Sequence, residues 1–150
     1  MVAGVEAIWE QQMSFLQRIF GGSSSEPAPF QKLGADIHSH LIPGIDDGAT
    51  DLAESLLMIK ELAALGYRKL VTTPHIMSDA YRNTPDGVRD GLRKLREAVK
   101  QAGIEIELEA AAEYYLDEIF AQTLSTRELL TFGGEQKYLL FETSYVASPM

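Results

Sequence analysis

The sequence contains three histidines, and all of them fall in two short segments. These are Asp36-Ile37-His38-Ser39-His40 and Thr73-Pro74-His75, with the acidic turn Gly44-Ile45-Asp46-Asp47-Gly48 between them. In an extended strand, side chains two residues apart point the same way, so Asp36, His38 and His40 are expected to share a face and aim three ligand atoms into one small volume. For one histidine on an apolar strand, a hydrogen-bonded core residue is the ordinary explanation. Two imidazoles and a carboxylate on one face are costly to desolvate without a cation or a full set of partners. Imidazole mixed with carboxylate suits Zn²⁺, Mn²⁺ or Fe²⁺, whereas an all-oxygen cage would suit Ca²⁺ or Mg²⁺. There is no cysteine, so an ion must be held by His, Asp and Glu, and no disulfide or cysteine nucleophile is available within these residues.

The 150 residues are 45% hydrophobic and 23% charged, the composition of a soluble globular protein of one domain's length. A net charge of −9 argues against a general nucleic-acid surface, which needs a basic patch. It leaves a phosphate substrate open, because bound cations reverse the local sign of a site. No apolar run approaches the ~20 residues of a membrane span, and no charged start followed by an apolar stretch reads as a signal peptide. The expectation is a cytoplasmic protein.

The elements that must position these residues can be read in turn. Ile8, Trp9, Met13, Leu16 and Phe20 recur at helical spacing, and Gly21-Gly22-Ser23-Ser24-Ser25-Glu26-Pro27-Ala28-Pro29 follows as a flexible linker. Residues 1–32 therefore read as a separable helical arm. With Arg18 its sole basic residue in the stripe, the arm is expected to dock on the domain or on a neighbouring subunit of a homo-oligomer rather than on a membrane. Met13 is an equally good initiator.

From Leu33 strands and helices alternate. A strand near 33–39 leads into the acidic loop. A helix then runs from about Asp51 to Leu65, with Thr50 or Asp51 as cap, Gly66 as stop, and Leu52, Leu56, Ile59 and Ala63 facing inward. The strand Lys69–Thr72 delivers His75 just past its end. Thr84-Pro85 starts a second helix that stops at Gly103. Ile104–Ala111 reads as a third strand ending at Glu113, and Tyr138–Phe141 as a fourth ending at Glu142. Such βα repetition implies a mostly parallel α/β sheet or barrel, whose ligands collect at the carboxyl ends of strands.

The string from Asp36 to Gly48, His-X-His-X-X-Pro-Gly-X-Asp-Asp-Gly at its centre, followed by Thr73-Pro74-His75, strongly resembles the start of the polymerase and histidinol phosphatase (PHP) superfamily. More narrowly it is similar to the bacterial manganese-dependent tyrosine-protein phosphatases of capsular and exopolysaccharide clusters. Glu109-Ala110-Ala111-Ala112-Glu113 resembles the strand that presents a bridging glutamate, and Tyr138–Glu142 a following barrel strand. The resemblance covers about residues 33–150 and implies a distorted PHP-type (β/α)7 barrel. It implies two or three divalent ions, manganese first and zinc or iron as alternatives. It makes His38 and His40 ligands of one metal, Glu113 a bridge, and His75 a ligand of the neighbouring ion. Asp47, and Asp46 beside it, would reach a metal or orient its water, and Asp36 would fix an imidazole tautomer. Asp47, His75 and Arg82 are the catalytic candidates, Arg82 as a phosphate contact. Ser39 stands where family members often have Cys, but on a strand it points away from the site. The implied substrate is phosphotyrosine on the tail of a bacterial tyrosine autokinase.

The resembled enzymes run to the ~250 residues of a (β/α) barrel and continue with a His-Pro-Glu-Arg segment and a late Asp-X-His that have no counterpart here. The expectation is an N-terminal portion of the barrel with about four strands and an open apolar edge. A histidinol-phosphate phosphatase-like hydrolase and a non-catalytic remnant acting as a binding module are the alternatives.

Overall fold

The structure, a computed structural model, describes residues 33–126 and 129–144. The arm and linker expected over 1–32 lie outside them. The order of elements is β1 (Ala35–Ser39), α1 (Leu52–Ala64), β2 (Lys69–Thr72), β3 (His75–Ile76), α2 (Pro85–Gln101), β4 (Glu107–Ala110), β5 (Glu113–Tyr115), α3 (Glu118–Thr126), a 3₁₀ turn (Gly134–Gln136) and β6 (Leu140–Glu142).

The two long helices start where local chemistry dictates. Asp51 caps α1 by accepting the Glu54 N–H at 2.9 Å, and Glu54 reaches back to the Thr50 N–H at 2.8 Å, which satisfies two orphan amides reciprocally. Thr84 caps α2 by accepting the Gly87 N–H at 3.1 Å, with Pro85 in the first turn, where its missing N–H costs nothing. Gly66 and Gly103 follow the helix ends with positive φ of 102° and 69°, as helix stops do. The inward face of α1 is rotated from the expected one. It buries Ser55 and Ile59, with Leu56, Met58 and Leu62 packed on the core, whereas Leu52 is 45% exposed. The cause is polar: the Ser55 hydroxyl donates to the Leu41 carbonyl at 2.6 Å and fixes which side of the helix meets the loop after β1.

All strand pairings between named strands are parallel, in the orders β1-β2-β4 and β3-β5-β6. The second set continues the first. The chain breaks at Thr73-Pro74 between β2 and β3 and at Ala111-Ala112 between β4 and β5, and hydrogen bonds carry the pairing across both breaks. Thr73 N–H donates to Ser39 O at 2.7 Å, Ala111 N–H to Thr72 O at 2.9 Å and Glu113 N–H to Pro74 O at 3.1 Å. Six short strands thus make four successive staves of an α/β barrel wall. The third expected strand is corrected by this: it begins at Glu107 and splits, so that Glu113 opens β5 instead of closing β4. Proline 74, with no N–H to give, sets the matching break beside it. Helix α3, not expected from the sequence, is capped by Asp117, which accepts the Phe120 N–H at 2.9 Å. Tyr138 pairs back on Phe132 in an isolated antiparallel bridge, leaving β6 to start at Leu140.

The core between sheet and helices is built from Leu41, Ile42, Ile59, Leu70, Val88, Leu95, Leu108 and Tyr114. The outermost staves behave differently: Ile37 on β1 and Phe141 on β6 are 55% and 53% exposed. This is the apolar edge expected of a barrel segment.

Candidate metal centre

The staves bring one end of each strand, or the residue beside it, to a common cleft of about 370 Å³ lined by His38, His40, Asp47, Gly48, His75, Glu113 and Glu142. β1 carries His38, and His40 follows directly. β3 opens on His75, which pairs in register with Glu113 at the start of β5. Glu142 closes β6 opposite Tyr115. The acidic loop folds back over β1: Ala49 N–H donates to His40 O at 3.1 Å, and Gly48 lies so close that a β-carbon there would be 2.3 Å from the His40 carbonyl oxygen.

Glu113 is the hub. Its Oε2 stands 3.4 Å from His40 Nε2, 3.4 Å from His75 Nδ1 and 3.9 Å from His38 Nε2. Asp47 Oδ1 is 3.3 Å from His40 Nδ1 and 3.5 Å from His75 Nε2, and Glu142 is 3.9 Å from His75 Nδ1. Three overlapping sets of donors result: His38, His40 and Glu113; His40, Asp47 and His75; His75, Glu113 and Glu142.

These residues fit divalent ions on three counts. The buried Nδ1 atoms of His40 and His75 have no aligned hydrogen-bond partner, an arrangement that is expensive unless a cation takes the lone pair. Donors sharing a cation at about 2.1 Å stand roughly 3.0 to 3.4 Å apart, close to the spacings here. The carboxylates of Asp47, Glu113 and Glu142 share the cleft with no lysine or arginine lining it among the described residues.

The remaining expected residues take other places. Asp46 is in none of the three sets. Its side chain is fully buried and accepts the Gly48 N–H at 3.0 Å and the His75 N–H at 3.1 Å, while Oδ2 sits 2.9 Å from His40 Nδ1 but off the line of the ring N–H. It therefore pins the loop to β3 and stands beside the imidazole. Asp36 does not fix a tautomer. The partner of His38 is Thr73, whose Oγ1 is 2.8 Å from Nδ1, orients the ring and leaves Nε2 to the cleft. Arg82 is exposed, donates from Nε to Ser78 O at 2.8 Å and lines a neighbouring hollow with Asn83 and Tyr114 instead of the cleft. Sequence reasoning placed Glu142 among the strand-end residues without assigning it a ligand role, and it gave Thr73 no part in the site. Glu142 had one visible signal, its place at the end of an apolar strand.

The nearby Asp46 carboxylate, foremost, holds the His40 pKa above its ordinary value against the opposing effect of burial, with Asp46, Asp47 and Glu113 charges adding to it. Burial pushes Asp46 up, but contact with His40 and the Gly48 and His75 amides outweighs it and holds the carboxyl below its usual range. A cation must displace any proton carried by the His40 nitrogen it takes. Divalent-ion affinity of the metal-free chain is therefore expected to rise with pH through that raised pKa, with proton release on binding. Calorimetric titrations in buffers of different ionisation enthalpy between about pH 6 and pH 8 check this; affinity independent of pH would contradict it.

Fold and cleft together define a class: a parallel-stranded, PHP-type α/β barrel segment with a candidate multi-ion centre of histidines and carboxylates at the strand ends. The family model for capsular polysaccharide synthesis proteins, CpsB/CapC, matches residues 34–148, and the chain belongs to that family. Among curated relatives, the tyrosine-protein phosphatase YwqE of Bacillus subtilis (strain 168) is 33% identical over 107 residues, which are 71% of this chain and 42% of YwqE. The tyrosine-protein phosphatase CpsB of Streptococcus pneumoniae is 27% identical over 109 residues, 73% of this chain and 44% of CpsB. A solved structure from work on these two proteins, described as unique metal-dependent tyrosine phosphatases, superposes with a TM-score of 0.67 at 31% identity, covering 74% of this chain and 44% of that one. The chain thus spans less than half the length of the relatives it matches.

Proposed function

We propose that this chain contributes the ligand-bearing staves of a metal-dependent protein-tyrosine phosphatase acting on the phosphotyrosine tail of a bacterial tyrosine autokinase in capsule or exopolysaccharide synthesis. The observation that carries the reading is the convergence of three histidines with Asp47, Glu113 and Glu142 in three sets that share members. His38, His40 and Glu113 would hold one ion and His75 with Glu113 and Glu142 a second, each imidazole giving one nitrogen to one ion, with Asp47 beside His40 and His75 as a further carboxylate. Manganese is the proposed metal. The ions would supply Lewis-acid stabilisation of phosphoryl oxygens and activation of water for attack on phosphorus.

The chain's own residues do the preparatory work. Thr73 presents Nε2 of His38, Asp46 keeps the acidic loop against β3, and Glu113 ties both strand sets to one point. No arginine or lysine lines the cleft among the described residues, so the charge of a phosphate there is left to the cations. Among the described residues no helix is long and apolar enough to cross a membrane. A cytoplasmic site of action and self-association through the open staves belong to the same proposal.

The test is manganese-dependent release of phosphate from a phosphotyrosine peptide against histidinol phosphate, with this chain alone and with the C-terminal segment of YwqE added. The expected result is preference for phosphotyrosine, with turnover dependent on the added segment. Preference for histidinol phosphate would point to another PHP phosphoesterase. Manganese binding with no turnover in either arrangement would point to a binding module.

A further inference from the structure

Segment 77–84, between β3 and α2, contributes no donor to the three sets, yet its contacts converge on them. Met77 N–H donates to Tyr81 O at 3.0 Å, and Ser78 N–H donates to Asp117 Oδ2 at 2.7 Å, which anchors the segment at the start of α3. The Tyr81 ring stacks on His75 with centroids 5.5 Å apart and planes 10° from parallel. At the far end, Asn83 Nδ2 donates to two carbonyls, Ile45 O at 2.9 Å and His75 O at 2.8 Å. Carbonyl oxygens only accept, so the atom that faces both must be the amide nitrogen, and both of its hydrogens are used. Ile45 immediately precedes Asp46 and Asp47, and His75 is itself a donor of the cluster.

We propose that Asn83 is a positioning residue that ties the acidic loop to the start of β3 and thereby sets the approach of Asp47 to His75, the pair separated by 3.5 Å. The inference rests on the metal-centre reading and adds to it a residue that touches no ion. No other side chain of similar size does this. Aspartate at 83 has no hydrogen to give and would set a carboxylate against two carbonyl oxygens. Alanine would leave two part-buried carbonyls without their donor.

The experiment uses the whole chain with Asn83→Ala and Asn83→Asp. In the metal-free state, amide exchange over residues 44–49 and 75–76 is expected to accelerate in both variants while that of α2 keeps its protection. With Mn²⁺ added, affinity is expected to fall about 10- to 100-fold, the range seen when an outer-sphere partner of a metal ligand is lost, and the near-isosteric aspartate variant is expected to do no better than alanine. That last comparison excludes a purely space-filling role. Should the unsubstituted chain take up no Mn²⁺, the metal reading fails and the exchange arm alone judges the tie between loop and strand. Unchanged exchange in the metal-free variants, or Mn²⁺ affinity equal to that of a binding-competent parent, would overturn the proposal.

Discussion

Glu113→Gln is expected to lower the number of divalent ions the chain holds by at least one and to weaken the remainder by more than the roughly 10- to 100-fold that follows loss of an outer-sphere partner. The expectation follows from position. Glu113 belongs to two of the three donor sets, and its Oε2 lies within 3.4 Å of both His40 and His75. An amide keeps the size of the group but removes the charge that offsets repulsion between neighbouring cations. Without metal the outcome reverses in character, because the carboxylate sits in a crowd with Asp47 and Glu142. The metal-free variant is expected to be as stable as the parent. The loss appears only on loading: each tenfold weakening of affinity removes about 1.4 kcal/mol of ligand-linked stability. Elemental analysis and thermal unfolding with and without Mn²⁺ measure both parts. Unchanged metal content would reduce Glu113 to an ordinary strand-end residue.

The second large effect is expected at Gly48. A β-carbon built there meets His40 Cβ and the His40 carbonyl oxygen at 2.3 Å and the carbonyl carbon at 2.9 Å. Two of these atoms are backbone, so relief requires moving the chain itself, and overpacking of this kind costs about 1 to 3 kcal/mol or more. Gly48→Ala should therefore destabilise the chain and also carry His40 out of the cluster, with loss of metal binding. Gly103→Ala separates the two effects. A β-carbon there meets nothing within 4 Å, but φ is +69°, so the cost is backbone strain of roughly 1 to 2 kcal/mol with the metal centre left intact. If Gly48→Ala binds Mn²⁺ like the parent, the close packing of loop on His40 is not what holds the ligand.

What could be read from the sequence was what local chemistry determines. The caps at Asp51 and Thr84-Pro85 act within one helical turn, and both long helices begin where those residues place them. His38, His40, His75, Glu113 and Glu142 were legible as strand-end residues because parallel β/α topology sends strand ends to one side, and Asp47 was legible from the acidic turn and the family resemblance. The misreadings share one physical origin, contacts made far along the chain. Leu52 counted as an inward residue by apolar spacing, but the face of α1 is chosen by Ser55 bonding to Leu41, fourteen residues away. Asp36 shares strand alternation with His38, yet the imidazole found Thr73, thirty-five positions on. The split at Ala111-Ala112 depends on which neighbour each strand pairs with, and nothing within five or ten residues encodes that.

The breaks between β2 and β3 and between β4 and β5 also bear on when the centre exists during the life of the chain. A ribosome releases His38 and His40 first, His75 and then Glu113 well afterwards, and Glu142 near the end of these residues. Asp47 follows within the adjoining loop, but His75, Glu113 and Glu142 are each delivered only once their strand has found a parallel neighbour formed from earlier chain, and such non-local pairing is the slow kind. While synthesis proceeds, the nascent polypeptide carries an incomplete collection of imidazoles and carboxylates with little hold on any cation. The two sets without Glu142 can close once β3 and β5 are in place, whereas the set of His75, Glu113 and Glu142 must wait for β6, so that filling of this last set would mark the completion of this stretch of folding.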